Sequence, residues 1–200
     1  GVHMVKSRPE LFHAYLGTSQ IVSHRDNPSS SYARLLELAR AAVDAESLAV
    51  LETVGPPPWS DPRSFGKVRR VVRHHEARLA TPAPAHWWKP DPAYATPKAQ
   101  ADDEAGEEYS FLAFVGLKGD GMFSQVDLPG LGTTFAVPMF FIHGALDLLA
   151  TPEVAQRYYR SLKAPQKALV LVEKAGHDPN QDIVDAEYRL LIDRILPLTR

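Results

Sequence analysis

The sequence contains no cysteine among its 200 residues, which excludes a disulfide framework, a thiol nucleophile and a cysteine-based metal site. No apolar run reaches the roughly 18 residues that a membrane-spanning helix needs. The N-terminus also lacks the apolar stretch of a secretory signal peptide. These absences lead us to predict a cytoplasmic protein.

Neither sign of charge dominates the composition, because the formal net charge is −2. Such a balance gives no reason to expect nucleic acid or a membrane surface as a partner, since both attract strongly basic proteins. Hydrophobic residues make up 44% of the chain, as in ordinary soluble domains. The composition therefore predicts a globular protein with a buried core.

Two apolar runs in the C-terminal part of the chain each lead to a polar residue. The run VPMFFIHGALD ends at Asp147, and the run ALVLV is followed by EKAGH, which ends at His177. Buried strands of a parallel sheet read as continuous apolar runs, and ligands bind beyond the carboxyl ends of such strands. The segment between them is long enough for a crossover helix and a strand. The pattern predicts an α/β fold with both residues at one sheet edge.

These two residues have complementary acid–base chemistry. Imidazole near its ordinary pKa can accept a hydroxyl proton and return it to a leaving group, so His177 is the candidate general base. The carboxylate of Asp147 would orient the ring and stabilise the imidazolium. The alternative is that both are ordinary loop residues at strand ends. Asp178 is a rival carboxylate, and we expect His143 to be packed rather than catalytic.

The block VPMFFIHGALDLLATPEVAQRYYRSLKAPQKALVLVEKAGHDP resembles the C-terminal part of α/β-hydrolases, and within them the proline iminopeptidase group of serine peptidases. The opening GVHMVKSRPELFHAYLGTSQ and the later LETVGPPPW resemble the same group. The order Asp then His matches the second half of the family order Ser, Asp, His. The resemblance implies that Asp147 and His177 are catalytic. It also implies the C-terminal part of an α/β-hydrolase parallel sheet with a helical cap insertion.

The resemblance also concerns the nucleophile. In that group a serine in G-x-S-x-G precedes the helix that ends in a segment like MVKSRPELF, and this sequence begins after that point. We therefore expect the 200 residues alone to be inactive, because triad members act as a unit. We also expect the N-terminal half of the enzyme, or self-association, to cover the open sheet. Gly17-Thr18-Ser19 begins like a nucleophile elbow, but Ile21 replaces the required glycine, so Ser19 is expected to be a strand-end residue.

The chain divides into a core and an insertion in this interpretation. Residues 1–22 and 126–200 are assigned to the α/β-hydrolase core, and residues 23–125 to a helical cap. In the insertion we expect helices that begin at a serine cap (29–31), span 45–54, begin at Asp61-Pro62 and span 107–118. Residues 80–105 are expected to form an irregular loop. In the core we expect strands within 11–22 and at 139–143 and 168–173, and helices at 152–162 and 183–196.

Substrate contacts are expected from the insertion, because a cap covers the site. Glu52, Trp59 and Trp87 are the predicted substrate-binding residues. The resemblance implies that acidic cap residues hold the free amino group of a peptide, and Glu52 and Glu76 are the nearest candidates. The helix after Pro62 has a basic face, which is either an anion site or a solvated surface, and we expect the second: Lys67, Arg69, Arg70, Arg73 and Arg78.

No metal or cofactor is predicted. His74-His75-Glu76 does not form the zinc motif H-E-x-x-H, because Leu79 occupies the position of the second histidine. The sequence favours a serine hydrolase that is similar to aminopeptidases and proline iminopeptidases and acts on a peptide, amide or ester. One alternative is an epoxide hydrolase or dehalogenase, where an aspartate replaces the elbow serine. Another is a non-catalytic binding protein of the same fold.

Overall fold

The computed structural model describes residues 1–199, and its sheet has three parallel strands. The strands are β1 (Tyr15–Thr18), β2 (Met139–Gly144) and β3 (Lys167–Val172), with β2 in the centre. Because all three strands run in the same direction, the loops after them meet at one edge of the sheet. The predicted α/β class is thereby confirmed.

Helices precede, separate and follow the strands. They are α1 (Val2–Ser7), α2 (Asp26–Ala41), α3 (Ala45–Val54), α4 (Pro62–Leu79), α5 (Pro97–Val115), α6 (Pro152–Ser161) and α7 (Gln181–Leu190). Helices α2 to α5 all lie between β1 and β2, and α6 connects β2 to β3. Among the residues described, no helix is both long and apolar enough to cross a membrane.

The central strand β2 is buried along its whole length and supplies two cores. Met139 and Phe141 pack with α1 and α6 on one face of the sheet. Phe140 and Ile142 pack with α7 on the other face. Successive side chains of a strand point to opposite faces, so a continuous apolar run fits a strand that is covered on both sides. This packing fixes where β2 ends and where the polar loop after it begins.

A third core belongs to the helices between β1 and β2. Leu35 and Leu51 are fully buried there, together with the valines of α4. Leu148, which belongs to the loop after β2, joins the same cluster. The helical segment therefore packs directly on the loop that carries Asp147. That residues 23–125 act as a cap stays a prediction.

Several local predictions are confirmed by helix ends. Helix α3 ends before Gly55, which has a φ of 72° that favours glycine. Helix α4 begins at Pro62, and the side chain of Asp61 accepts a hydrogen bond from the N–H of Arg63 at 2.9 Å. In these places short-range chemistry alone decides the structure.

The predicted serine cap at residues 29–31 is wrong, because α2 begins earlier, at Asp26. Pro28 lies in the first turn, where the missing N–H costs nothing. The hydroxyl of Ser29 donates to the carbonyl of Arg25 at 2.8 Å inside the helix. The chain enters α2 through Asn27, whose side-chain oxygen accepts from the backbone N–H groups of Val22 and Ser23.

The predicted irregular loop at residues 80–105 is wrong in its last part. Helix α5 begins at Pro97, and Thr96 caps it by accepting from the N–H of Ala99 at 3.1 Å. Residues 101–110 are all exposed, so this half of the helix has no apolar stripe that a sequence pattern would reveal. The helix also ends at Val115, before Gly116, rather than at Lys118.

The core elements differ from prediction mainly at their ends. Within the region 11–22 only Tyr15–Thr18 is a strand, and Leu11 is the last residue of a preceding helical turn, Pro9–Leu11. Helix α7 ends at Leu190, and tighter or wider turns continue to Thr199. Helix and strand ends depend on a few hydrogen bonds and vary by one or two residues between criteria.

Candidate active site

Asp147 and His177 lie together at the carboxyl edge of the sheet. Asp147 follows β2, His177 follows β3, and Nδ1 of His177 donates to Oδ2 of Asp147 at 3.0 Å. The predicted contact between the two side chains is thereby confirmed. Their catalytic role stays a proposal, because contact alone does not define a reaction.

Two backbone N–H groups hold the carboxylate of Asp147. Its Oδ1 accepts from Leu149 at 2.9 Å and from Ala150 at 2.7 Å, while Oδ2 faces the ring of His177. The residue is 1% exposed. A buried carboxylate that accepts several hydrogen bonds is stable as an anion and fixed in direction. Asp147 is thus suited to orient an imidazole.

His177 is a base whose proton affinity is set by its surroundings. Burial alone would lower the pKa of its ring, but the hydrogen bond and the negative charge of Asp147 outweigh burial and raise it above the ordinary value. Arg69 acts against this rise, and Glu76 adds to it. The side chain keeps 19% of its surface exposed, so the ring remains accessible.

The other two candidates near the pair have different roles. His143 is fully buried behind Asp147, and its Nε2 contacts the carbonyl oxygen of Ala150. Since a carbonyl can only accept, Nε2 carries the proton, and burial lowers the pKa of this ring. Asp178 points instead toward Arg69, at 3.8 Å. Asp178 is thus directed away from the pair, whereas Nε2 of His143 lies 3.5 Å from the same Oδ2 of Asp147 that accepts from His177.

Glu76 is a functional candidate that sequence reasoning placed elsewhere. The resemblance suggests it only as a contact for a substrate amino group, whereas it lies 8% exposed against the loops that carry Asp147 and His177. Its Oε1 accepts from the N–H of Leu148 at 2.7 Å, and its Oε2 accepts from the N–H of His177 at 3.1 Å. Burial raises the pKa of this carboxyl group. The available signal was its position on the apolar stripe of α4 with Val68 and Val72.

An apolar cavity of about 460 Å³ lies beside His177. Its walls come from α2, α4, α5 and the loop after β2, and its aromatic lining consists of Trp59, Phe65, Phe111, Phe114 and Phe123. Trp59 and Phe65 pack edge to face with ring centroids 5.1 Å apart. Such a cavity suits an apolar substrate group.

The three residues predicted to bind substrate lie in different places. Trp59 lines the cavity beside His177, and its indole N–H donates to the carbonyl of Gly55 at 2.9 Å. Glu52 is exposed on α3, and Trp87 lies in the helical turn Ala85–Trp88. The lining of this cavity includes neither Glu52 nor Trp87. The structure brings only Trp59 to the candidate site.

The basic face of α4 divides between two surfaces. Arg69 and Arg73 line the cavity beside His177, together with Glu107 of α5. Lys67 and Arg70 line a separate depression near α3. Lys67, Arg70, Arg73 and Arg78 are exposed and Arg69 is half-buried, so the face is largely solvated, as the sequence led us to expect. Within residues 1–199, no group of three His, Asp or Glu side chains is arranged to hold a metal ion.

Ser19 lies near His177 but contacts its backbone. The hydroxyl donates to the carbonyl oxygen of His177 at 3.1 Å, and Ser19 has a φ of 48° at the end of β1. A nucleophile would instead donate to the free ring nitrogen of the base. The geometry agrees with the expectation of a strand-end serine.

Comparison with known proteins gives this arrangement a context. YbaC of Bacillus subtilis (strain 168), a probable aminopeptidase, is 24% identical over 188 residues, which are 90% of this chain and 56% of that protein. The crystal structure of VinJ matches with a TM-score of 0.60 at 15% identity, over 99% of this chain and 62% of that one. Proline iminopeptidase of Mycobacterium smegmatis matches with a TM-score of 0.58 at 16% identity, over 100% and 60%. No model of a known protein family matches the sequence.

Fold and site together define an α/β protein with an Asp–His pair at the carboxyl edge of a parallel sheet. The chain has the α/β-hydrolase fold, as the sequence led us to expect. It spans between 56% and 62% of the length of the three proteins compared. The activity of a whole protein of this kind is therefore a matter for proposal.

Proposed function

We propose that this chain carries the general base, His177, and the orienting carboxylate, Asp147, of a serine hydrolase. The observation that carries the proposal is the 3.0 Å hydrogen bond between Nδ1 of His177 and Oδ2 of Asp147. Further support comes from the similarity to a probable aminopeptidase over 90% of the chain. A hydrolase of this fold places such a pair after two neighbouring strands.

The hydrogen bond defines which atom would move the proton. Because Nδ1 donates to Asp147, Nε2 of His177 is left as the acceptor. In this proposal Nε2 takes the proton of a serine hydroxyl while the hydroxyl oxygen attacks the substrate carbonyl carbon. The imidazolium, stabilised by Asp147, then gives the proton to the leaving amine or alcohol.

The nucleophile in this proposal is a serine outside these 200 residues. Ser19 is unsuited, because its hydroxyl donates to a backbone carbonyl rather than to the ring of His177. The greater length of the proteins compared supports a nucleophile beyond the span of this chain. The sheet that this chain forms would then be completed by the segment that carries the nucleophile.

The substrate in this proposal is a peptide, amide or ester with a bulky apolar group. The cavity of about 460 Å³ would receive this group beside His177. Because α2, α4 and α5 supply much of its wall, residues 23–125 would act as the cap that selects the substrate. Aminopeptidase-like specificity is supported by the similarity to YbaC and to the M. smegmatis proline iminopeptidase.

The test is activity-based labelling of the product of the complete gene. A fluorophosphonate probe should label one serine, and the same protein should hydrolyse aminoacyl p-nitroanilides. Both signals should be lost in His177→Gln. Hydrolysis of an epoxide or haloalkane without labelling would identify the alternative chemistry through an aspartate nucleophile. Tight ligand binding with neither reaction would identify a binding protein and would end the hydrolase proposal.

A further inference from the structure

Glu76 belongs to the helical segment, yet its carboxylate lies between two loops of the sheet. One oxygen accepts from the N–H of Leu148, next to Asp147, at 2.7 Å. The other accepts from the N–H of His177 itself at 3.1 Å. A single side chain from α4 thus bridges the loop after β2 and the loop after β3.

The two loops are shaped around this carboxylate. A Cβ atom added to Gly176 would lie 2.7 Å from Oε2 of Glu76, so a side chain at that position would displace the carboxylate. A Cβ atom on Gly144 would contact the backbone of Ala175 and Gly176. Glycine at both positions lets the loops and Glu76 approach closely.

The partners of Glu76 select an anion at this place. Both are backbone N–H donors, and an ionised carboxylate can accept from each of them. A glutamine side chain of the same shape could accept from only one of these two backbone N–H groups. Its own amide N–H groups would face the other backbone N–H. A buried carboxylate costs free energy unless it is paired or hydrogen-bonded, so these two bonds support an ionised group.

Several charged or titratable groups surround the ring of His177. The carboxylates of Asp147 and Glu76 favour its protonated form, and Arg69 of α4 opposes it. The remaining groups near the site are His143 behind Asp147, Asp178 in the same loop, Arg73 of α4, Glu107 of α5 and Glu187 of α7. Of these neighbours, Glu76 alone hydrogen-bonds the backbone of His177 while its charge acts on the ring.

We propose that Glu76 is a positioning residue, which holds the loops of Asp147 and His177 together and, as an anion, stabilises the protonated form of His177. The inference rests on the proposed function for its meaning in catalysis. In that context the imidazolium forms near two carboxylates, Asp147 after β2 and Glu76 on α4. Val68 and Arg69 of the same helix line the cavity, so substrate contacts and the position of the base share one rigid element.

The proposal can be tested on the 200-residue chain without turnover. The chain is labelled on its histidine rings, and the ring signal of His177 is assigned with His177→Gln and followed by NMR against pH. We expect Glu76→Gln to lower the pKa of His177, because a nearby negative charge is removed. The matched control is Glu108→Gln, which removes the same charge from an exposed position on α5. We expect this control to leave the pKa unchanged within about 0.2 units.

A second measurement needs no variant at this site. In the wild-type chain the amide protons of Leu148 and His177 should shift together as Glu76 titrates, above the ordinary pKa of a glutamate. This experiment keeps the proposal testable if Glu76→Gln does not fold. Amide protons that do not move with one common midpoint would overturn the bridge.

The outcomes separate this inference from the proposed function. An unchanged pKa of His177 in folded Glu76→Gln would reduce Glu76 to a structural contact, whatever the activity of the complete protein. A lowered pKa in a complete protein that neither labels nor hydrolyses would retain the inference about Glu76 and end the hydrolase proposal. A shift of the same size in Glu108→Gln would show a general effect of net charge and would also overturn the inference.

Discussion

The backbone N–H of His177 donates to Oε2 of Glu76 at 3.1 Å, although the two residues are 101 positions apart in the sequence. The ring of the same histidine donates to Asp147. His177 is therefore held from two sides, by a carboxylate of the sheet loop and by a carboxylate of α4.

Removal of either member of the pair should abolish hydrolysis by the product of the complete gene. We expect His177→Gln and Asp147→Asn each to lower kcat/KM by about 10³-fold or more, because base and orienter act as one unit. The matched control is Asp178→Asn, whose carboxylate faces Arg69, with an expected change within about threefold. Steady-state kinetics measure all three. Activity that survives Asp147→Asn and is lost in Asp178→Asn would reverse the assignment.

Ser19 should not act as the nucleophile. We expect the 200-residue chain to hydrolyse no aminoacyl or simple ester substrate above background. In the complete protein, Ser19→Ala removes one hydrogen bond to the carbonyl of His177 and should change kcat/KM by no more than about threefold. Fluorophosphonate labelling should persist in this variant. Loss of labelling would identify Ser19 as the reactive serine.

Filling the apolar cavity should weaken substrate binding. Ser110 lines the cavity from the exposed face of α5, so Ser110→Trp would place an indole ring in the space for the substrate. We expect KM for a substrate with a bulky apolar group to rise about tenfold, with a smaller change in kcat. The control is Ala101→Trp, on the same helix but outside the lining of this cavity. Equal effects of both substitutions would place the substrate elsewhere.

The stability of the chain should fall on acidification because of His143. Its folded-state pKa is lowered by burial, so the native state binds fewer protons at this ring than the unfolded state does. This contribution to stability is present above the unfolded pKa of about 6.5 and is lost as pH falls toward the folded value. Urea unfolding at several pH values should show that the free energy of unfolding falls less steeply below about pH 6.5 in His143→Asn than in the wild type. An equal slope in both proteins would contradict the assignment.

His177 should contribute with the opposite sign to the same pH profile. Its folded-state pKa is raised, so its contribution is complete below about pH 6.5 and disappears as pH rises through the folded value. His177→Gln should therefore flatten the profile on the alkaline side of pH 6.5. Comparison of the two variants distinguishes the buried neutral ring from the ring paired with a carboxylate.

Much of the fold follows from short-range patterns. The apolar run at residues 139–143 is a buried strand because it can be covered on both faces, and the strand ends at Gly144, one residue beyond the predicted end. Capping chemistry explains the start of α4 at Asp61-Pro62 and the end of α3 before Gly55. The contact between Asp147 and His177 was also predictable, since parallel strands bring their carboxyl ends to one edge.

The boundaries that the sequence did not predict lack such local signals. Helix α5 has an exposed, alanine- and glutamate-rich first half, so its start at Pro97 leaves no apolar period. Helix α2 begins before the serines that suggested a cap, because Asn27 binds the preceding backbone instead. The start of α2 was predicted wrongly because of a competing local hydrogen bond. The start of α5 was missed because this part of the helix has no buried face.

The sequence by itself determined the strands, most of the helices and the two residues that the strands deliver to one edge. Only the tertiary structure decided the contacts of Glu76, the lining of the cavity and the division of the basic face of α4. Glu76 meets Leu148 and His177 through chain segments 72 and 101 positions away. Periodicity and capping act over a few residues, whereas these contacts depend on how the helical segment packs on the loops of the sheet.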